Sequence, residues 1–274
     1  MNFLSNLHNG SYIFWQNPVF SGLIIYLKGT LLCGIMVKTK TRGAVMIFEE
    51  KKNFLSECNE DLSLIYDDIS SSPVINLSSL DIEKAKLCIV DVINGFIKCG
   101  PLSDESISQI IPEINLLSKA VADKEMEIIS FYDNHDKNSP EFESFPPHCL
   151  EGTEEAAVVE ELSWLEAYEK YKCLPKKSTN AFFEDEIKSL TSDDEKTDTF
   201  IVVGDCTDIC VLQFALALKV NANAKGKRVR VIVPINCVDT YGAPMHNKNL
   251  MNLMSLKIMK NSGIEIVRKI NTAE

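Results

Sequence analysis

The chain has 274 residues, 45% hydrophobic and 24% charged, which is the composition of an ordinary soluble globular protein and excludes a disordered, collagen-like or disulfide-stapled one. Thirty-nine acidic residues against 28 basic ones give a formal charge of −11, which argues against a sequence-independent grip on nucleic-acid phosphates and favours a small-molecule partner. Nine cysteines, odd in number and scattered, form no secretory framework and fit a reducing cytoplasm.

The charge is unevenly spread. Residues 1–45 contain no Asp or Glu and carry Lys28, Lys38, Lys40 and Arg42, a charge of +4, so the remainder carries −15. Met46 is therefore read as a boundary. Residues 19–37 form an apolar run nearly long enough to span a bilayer, and the basic residues after it would hold the body in the cytoplasm. Against an anchor, Lys28 at the middle would cost about 2.5–3.5 kcal/mol, and Gly22, Gly29 and Gly34 interrupt the run. A cleavable signal pattern is absent, because the basic residues follow the apolar run. The preferred reading treats 1–45 as a basic apolar extension outside the working protein, with a membrane anchor as the alternative.

After Met46, the residues Ile47, Phe54, Leu55, Cys58, Leu62, Ile65 and Ile69 recur at three- and four-residue steps among charges, which predicts an amphipathic helix. Residues 46–85 are read as this helix and a linker through Ser70–Pro73. Continuous apolar runs at 86–92, 125–132, 199–204, 229–234 and 264–267 read as strands buried on both faces. Helical patterns lie between them at about 104–122, 154–171, 181–190, 208–220 and 248–261. This alternation predicts a three-layer, doubly wound α/β domain with a parallel sheet over 86–274, preceded by an N-terminal helical extension. The acidic stretch 191–198 reads as a solvated loop.

Ligands in such folds sit at the C-terminal ends of the strands. Three groups of residues fall there. Cys210 ends the stretch Gly204-Asp-Cys-Thr-Asp-Ile-Cys and would lie in the first turn of a helix, where free N–H groups and the helix dipole favour a thiolate. That suits a nucleophile, although Cys206 four residues earlier also admits a metal or redox pair. Asp91 closes an apolar strand, where it is either a loop cap for Asn94-Gly95 or a general base, and Lys176 and Lys177 offer a compensating cation. Asp133, His135, Glu141 and His148 fall within one short window that holds two of the chain's four histidines. Such a mixed N/O set suits Zn, Mn or Fe rather than Ca or Mg, the alternative being a polar loop.

In this order these motifs resemble the isochorismatase-like cysteine hydrolases, and within that superfamily the nicotinamidases. The resemblance runs from about Lys86 to the C-terminus and implies the isochorismatase-like hydrolase fold. It implies Asp91, Lys176 and Cys210 as catalytic triad, with Lys176 taken because it lies four residues before Asn180-Ala181-Phe182. It implies backbone N–H groups of Cys206 and Cys210 as oxyanion hole, with a cis peptide at Asp205–Cys206. It also implies Phe96 and Phe145 around the substrate ring, and one divalent ion, zinc first, on Asp133, His135, Glu141 and His148. Asn180, Glu141 and Phe145 stand where the family more often has Ser, His and Trp. The implied enzyme is a cytoplasmic amidohydrolase of NAD salvage that converts nicotinamide to nicotinate through a thioester, with homo-oligomers common among relatives. The alternatives are another amide or carbamoyl hydrolase or an isochorismatase of the same superfamily, and a non-enzymatic metal-binding or thiol-redox protein.

Overall fold

The computed structural model describes residues 3–7, 10–16, 21–27, 30–36, 51–193 and 196–273. The chain divides into two compact units, Met1–Asn59 and Glu60–Glu274. In the first, β1 (Phe3–Leu7), β2 (Gly10–Gln16), β3 (Ser21–Leu27) and β4 (Thr30–Met36) form an antiparallel meander. Within the apolar run 19–37 the described residues form two strands, paired from Ser21↔Met36 to Leu27↔Thr30, and no helix. Among the described residues no helix is long and apolar enough to cross a membrane. The expected helix appears as α1 (Lys51–Ser70); its anticipated start at Met46 and Ile47 lies outside the described residues.

The second unit is built on strands β6 (Ala85–Val90), β7 (Glu127–Asp133), β8 (Tyr171–Lys176), β9 (Thr199–Asp205), β10 (Arg230–Pro234), β11 (Val238–Asp239) and β12 (Glu265–Val267). Their order is β12-β10-β9-β6-β7-β8, with β11 beside the end of β9, and every pairing is parallel. Alternate residues face opposite cores: Leu87 and Ile89 one, Cys88 and Val90 the other, with the same division of Ile201 and Val203 from Phe200 and Val202. This is why the strands read as unbroken apolar runs. One core is covered by α2 (Asn94–Ile97) and α3 (Ile111–Asp123), the other by α5 (Leu212–Ala224) and α6 (Lys248–Asn261).

From β6 the chain moves outward to β7 and β8, then returns to β9 and moves the opposite way to β10 and β12. The switch point therefore lies between β6 and β9, whose ends carry Asp91 and the Cys206–Cys210 stretch. Their close approach requires glycine at 204. It has φ +118°, and a Cβ there would overlap the Val90 carbonyl oxygen and sit 2.8 Å from its carbon.

Several elements differ from the sequence reading. The pattern at 154–171 is not one helix but 3-10 turns, Glu154–Ala156 and Glu160–Ala167, followed by β8. Leu162 and Leu165, three apart and both buried, suit the three-residue period. β8 escaped notice because it is an edge strand with half-exposed faces, which also accommodates Pro175. The pattern at 181–190 reduces to the turn Ala181–Phe183 and a single helical turn, α4 (Asp185–Lys188). In the stretch 191–198, Thr191 and Thr197 are buried rather than solvated, and Thr191 Oγ1 donates to Ile187 O at 2.7 Å. A short pair, β5 (Val74–Asn76) with β13 (Lys269–Asn271), was also missed.

Candidate active site

Asp91, Lys176 and Cys210 stand at the ends of β6, β8 and β9, far apart in sequence and together in space. Asp91 has φ 53°, and its fully buried carboxylate accepts from Asp133 N at 3.0 Å and pairs with Lys176 Nζ at 2.9 Å. Lys176, also buried, reaches Asp133 Oδ1 at 2.5 Å, Ser178 O at 3.2 Å and Cys210 Sγ at 3.8 Å. Cys210 lies in the π-helical turn Thr207–Val211 that leads into α5. Lys177 is exposed, and its backbone N–H donates to Glu184 Oε1 at 2.8 Å. Asn180 caps the following turn by accepting from Phe182 N at 3.1 Å.

Burial decides the protonation pattern here. It pushes the Asp91 carboxyl up to about 7 against the pull of the Lys176 ammonium, with the Asp133 charge adding to the rise. It also pushes the Cys210 thiol well above its ordinary value, and Lys176 only partly offsets this. A thiol buried in this way needs a base, and the Asp91 carboxylate beside Lys176 is the one at hand. Lys176 is held well above its ordinary value because Asp133, Asp91 and Cys210 outweigh its desolvation.

The second group gathers around Asp133. Ligand atoms of Asp133, His135, Glu141 and His148 all lie within 4.8 Å of one another. His135 Nε2 is 3.5 Å from Asp133 Oδ1, and His148 Nε2 is 3.6 Å from Asp133 Oδ2; Glu141 Oε1 lies 3.9 and 4.0 Å from the same nitrogens. Four N/O ligands about 2.1 Å from a tetrahedral ion are separated by about 3.4 Å, so these spacings fit a divalent ion. The tautomers fit too. His148 Nδ1 donates to Pro146 O at 2.8 Å, which leaves the Nε2 lone pair inward, and His135 Nε2 is buried with no hydrogen-bond partner. Burial and the Asp133 charge push the Glu141 carboxyl up.

One cavity of about 540 Å³ is reached by Cys210 of the first group and by Asp133, Glu141 and His148 of the second, with Phe96 and Phe145 in its wall; Asp91, Lys176 and His135 lie buried behind it. Phe96 and Phe145 meet the His148 ring at centroid distances of 5.8 and 6.2 Å. Gly95, just before Phe96, has no room for a side chain: a Cβ would lie 2.5 Å from Cys149 Sγ. Cys206 also lines the cavity, and the Asp205–Cys206 peptide is cis, as the resemblance implies.

Sequence reasoning missed Phe142, which packs edge-on against His135 at 5.4 Å and His148 at 5.7 Å, although it follows Glu141 directly. It also missed Thr179, Ile209 and Tyr241 in the cavity wall. Ile209 sits inside the Cys206–Cys210 motif and could have been found there; Tyr241 had no signal, because β11 is too short to read.

An isochorismatase-domain family model matches residues 85–262, which span every element carrying this site. The chain belongs to the isochorismatase family. Its isochorismatase-family relatives include Nicotinamidase 1 of Arabidopsis thaliana, 31% identical over 214 residues, 68% of this chain and 86% of that protein. The crystal structure of nicotinamidase PncA from Bacillus subtilis is 26% identical, with TM-score 0.55, covering 67% of this chain and 99% of that one. A pyrazinamidase of Pyrococcus horikoshii in complex with zinc shares the fold at 22% identity and TM-score 0.55, over 68% of this chain and 99% of that one.

Proposed function

We propose that this isochorismatase-family hydrolase converts nicotinamide to nicotinate and ammonia through a thioester on Cys210. The observation that carries the reading is the convergence of a buried Asp91–Lys176–Cys210 set and a four-residue N/O cluster on one cavity. The identity to a curated nicotinamidase supports the same substrate.

In this mechanism Asp91, raised by burial into the neutral range, takes the Cys210 proton, while the Lys176 ammonium at 3.8 Å stabilises the thiolate. Phe96 and Phe145 hold the ring faces and so aim the carboxamide at Sγ. The thiolate attacks the amide carbon, and the oxyanion is received by the backbone N–H groups of Cys206 and Cys210, each such donor being worth about 2.7–4 kcal/mol. The C–N bond breaks as Asp91 returns its proton, releasing ammonia. Water, giving a proton to Asp91, then cleaves the C–S bond; nicotinate leaves and the thiol is restored. A divalent ion on Asp133, His135, Glu141 and His148, zinc first and Mn or Fe as alternatives, would supply a Lewis-acid anchor for the pyridine nitrogen.

The same reading assigns catalysis to residues 86–274 and none of it to 1–45, so residues 46–274 expressed alone should keep turnover. The deciding assay is ammonia release from nicotinamide by the wild type, by Cys210→Ala and after chelation. No turnover by the wild type with Zn, Mn or Fe supplied overturns the proposal.

A further inference from the structure

One wall of the cavity is held by residues that the reaction above does not use. Tyr241, Gly242 and Ala243 follow β11 and line the cavity together with Ile209 and Cys210. Because β11 lies beside the end of β9, with Asp239 opposite Asp205, this loop leaves the sheet next to the nucleophile turn.

Five contacts hold the loop, two of them to other stretches of the chain. The Tyr241 ring lies flat on the His246 imidazole, with centroids 3.8 Å apart and planes 4° from parallel. Ala243 and His246 exchange backbone hydrogen bonds, N to O, at 3.1 and 2.9 Å. Gly242 N donates to Asp104 Oδ2 at 2.8 Å, and Asp104 belongs to a different stretch of the same cavity lining. His246 Nε2 lies 2.8 Å from Asp208 Oδ2, two residues before Cys210, and its Nδ1 lies 3.1 Å from Tyr241 O. With a proton on each ring nitrogen the imidazole donates to Asp208 Oδ2 and to Tyr241 O, which fixes it in plane, and a phenol ring stacked on it is fixed too. The Asp208 and His246 side chains are 5% and 15% exposed, so water competes poorly for the contact. Met245, at the tip of the turn, is fully exposed and contributes no apolar burial, which leaves the holding to these polar ties and the stack.

The geometry points to a selectivity device: His246, clasped to Asp208, is a positioning residue that fixes Tyr241 as a side wall, and this wall limits the width of the group that reaches Cys210. The inference rests on the reading that the cavity receives an aromatic amide and adds which amides pass. The discrimination expected is between a single six-membered ring and the wider fused bicyclic one. A wall on a loop discriminates by size only when its supports are fixed, and here two supports, Asp104 and Asp208, come from stretches distant from the loop in sequence.

The test uses the full-length protein and a readout that needs no turnover: alkylation of Cys210 by iodoacetamide and by a naphthyl-substituted iodoacetamide, followed by peptide mass spectrometry. His246→Ala and Tyr241→Ala should each raise the bulky-to-small rate ratio about tenfold. The double variant should add nothing beyond the larger single effect, because both act through one wall. Tyr241→Phe, which keeps the ring, should restore the wild-type ratio. With active enzyme, the same variants should raise kcat/KM for quinoline-3-carboxamide relative to nicotinamide. An unchanged ratio in a folded His246→Ala protein, or equal acceleration by both reagents, overturns the inference. If His246→Ala does not fold, Tyr241→Ala and Asp208→Asn decide it, and an unchanged ratio in both sinks the idea. A wild type inactive on nicotinamide would defeat the proposed function while leaving the alkylation result intact.

Discussion

The two halves of the site are assembled on different terms. Asp91, Lys176 and Cys210 come from the ends of three strands and are buried together, so their charges compensate one another inside the protein. His135, Glu141 and His148 come from the single connection after β7, and the Glu141 side chain remains 12% exposed. Asp133 belongs to both halves, with Oδ1 near both Lys176 and His135. The lesson is that the nucleophile half depends on the whole sheet, the ligand half on one loop, and a single carboxylate couples them.

The largest expected effect breaks the chemistry without disturbing either half. Cys210→Ala should lower ammonia release by about 10⁴-fold or more, with metal content, measured by elemental analysis, at the wild-type level. Lys176→Met comes next and should break the sheet half structurally. It leaves Asp91 and Asp133 buried beside each other without a cation, which should destabilise the fold by about 3–5 kcal/mol in urea titration. His135→Ala should do the reverse: metal affinity should fall about 100-fold, while the urea midpoint of the metal-free protein stays close to wild type. If Lys176→Met and His135→Ala destabilise the metal-free fold equally, the contrast between the halves is wrong.

The smallest effect lies outside the site and serves as a control. Asp68 on α1 is bonded to Lys257 at 2.8 Å and Lys260 at 2.7 Å on α6, and these hydrogen bonds hold its carboxyl below the usual 3.8. A depressed carboxyl contributes stability above its unfolded value, and that contribution is lost as pH falls through the folded one. Asp68→Asn should therefore lower Tm by about 1–2 °C at pH 7 and by nothing at pH 2, read by thermal melts. Activity per folded molecule should not change.

The contrast between the halves also governs what could be read without a structure. Strands β6, β9 and β10 were legible because both faces are buried, and α6 was legible because its period is regular and Asn247 caps it, accepting from Leu250 N at 3.0 Å. The ligand loop was legible as spacing, since its residues are neighbours in sequence. Edge strand β8 was not, and with it the reason why Lys176 rather than Lys177 points inward: successive strand residues face opposite ways, and only the pairing of Asp133 with Lys176 sets the register.

The sequence by itself determined the class of fold, the identities of the residues at the strand ends and the family they resemble, because apolar period and motif order are properties of the chain. Only the tertiary structure decided which of those residues meet and in which protonation state. Desolvation is a property of surroundings, and it pushes both the Cys210 thiol and the Asp91 carboxyl up, which no residue pattern could show. The structure alone also placed His246 beside Asp208, a contact between residues far apart in the chain that no local pattern announces.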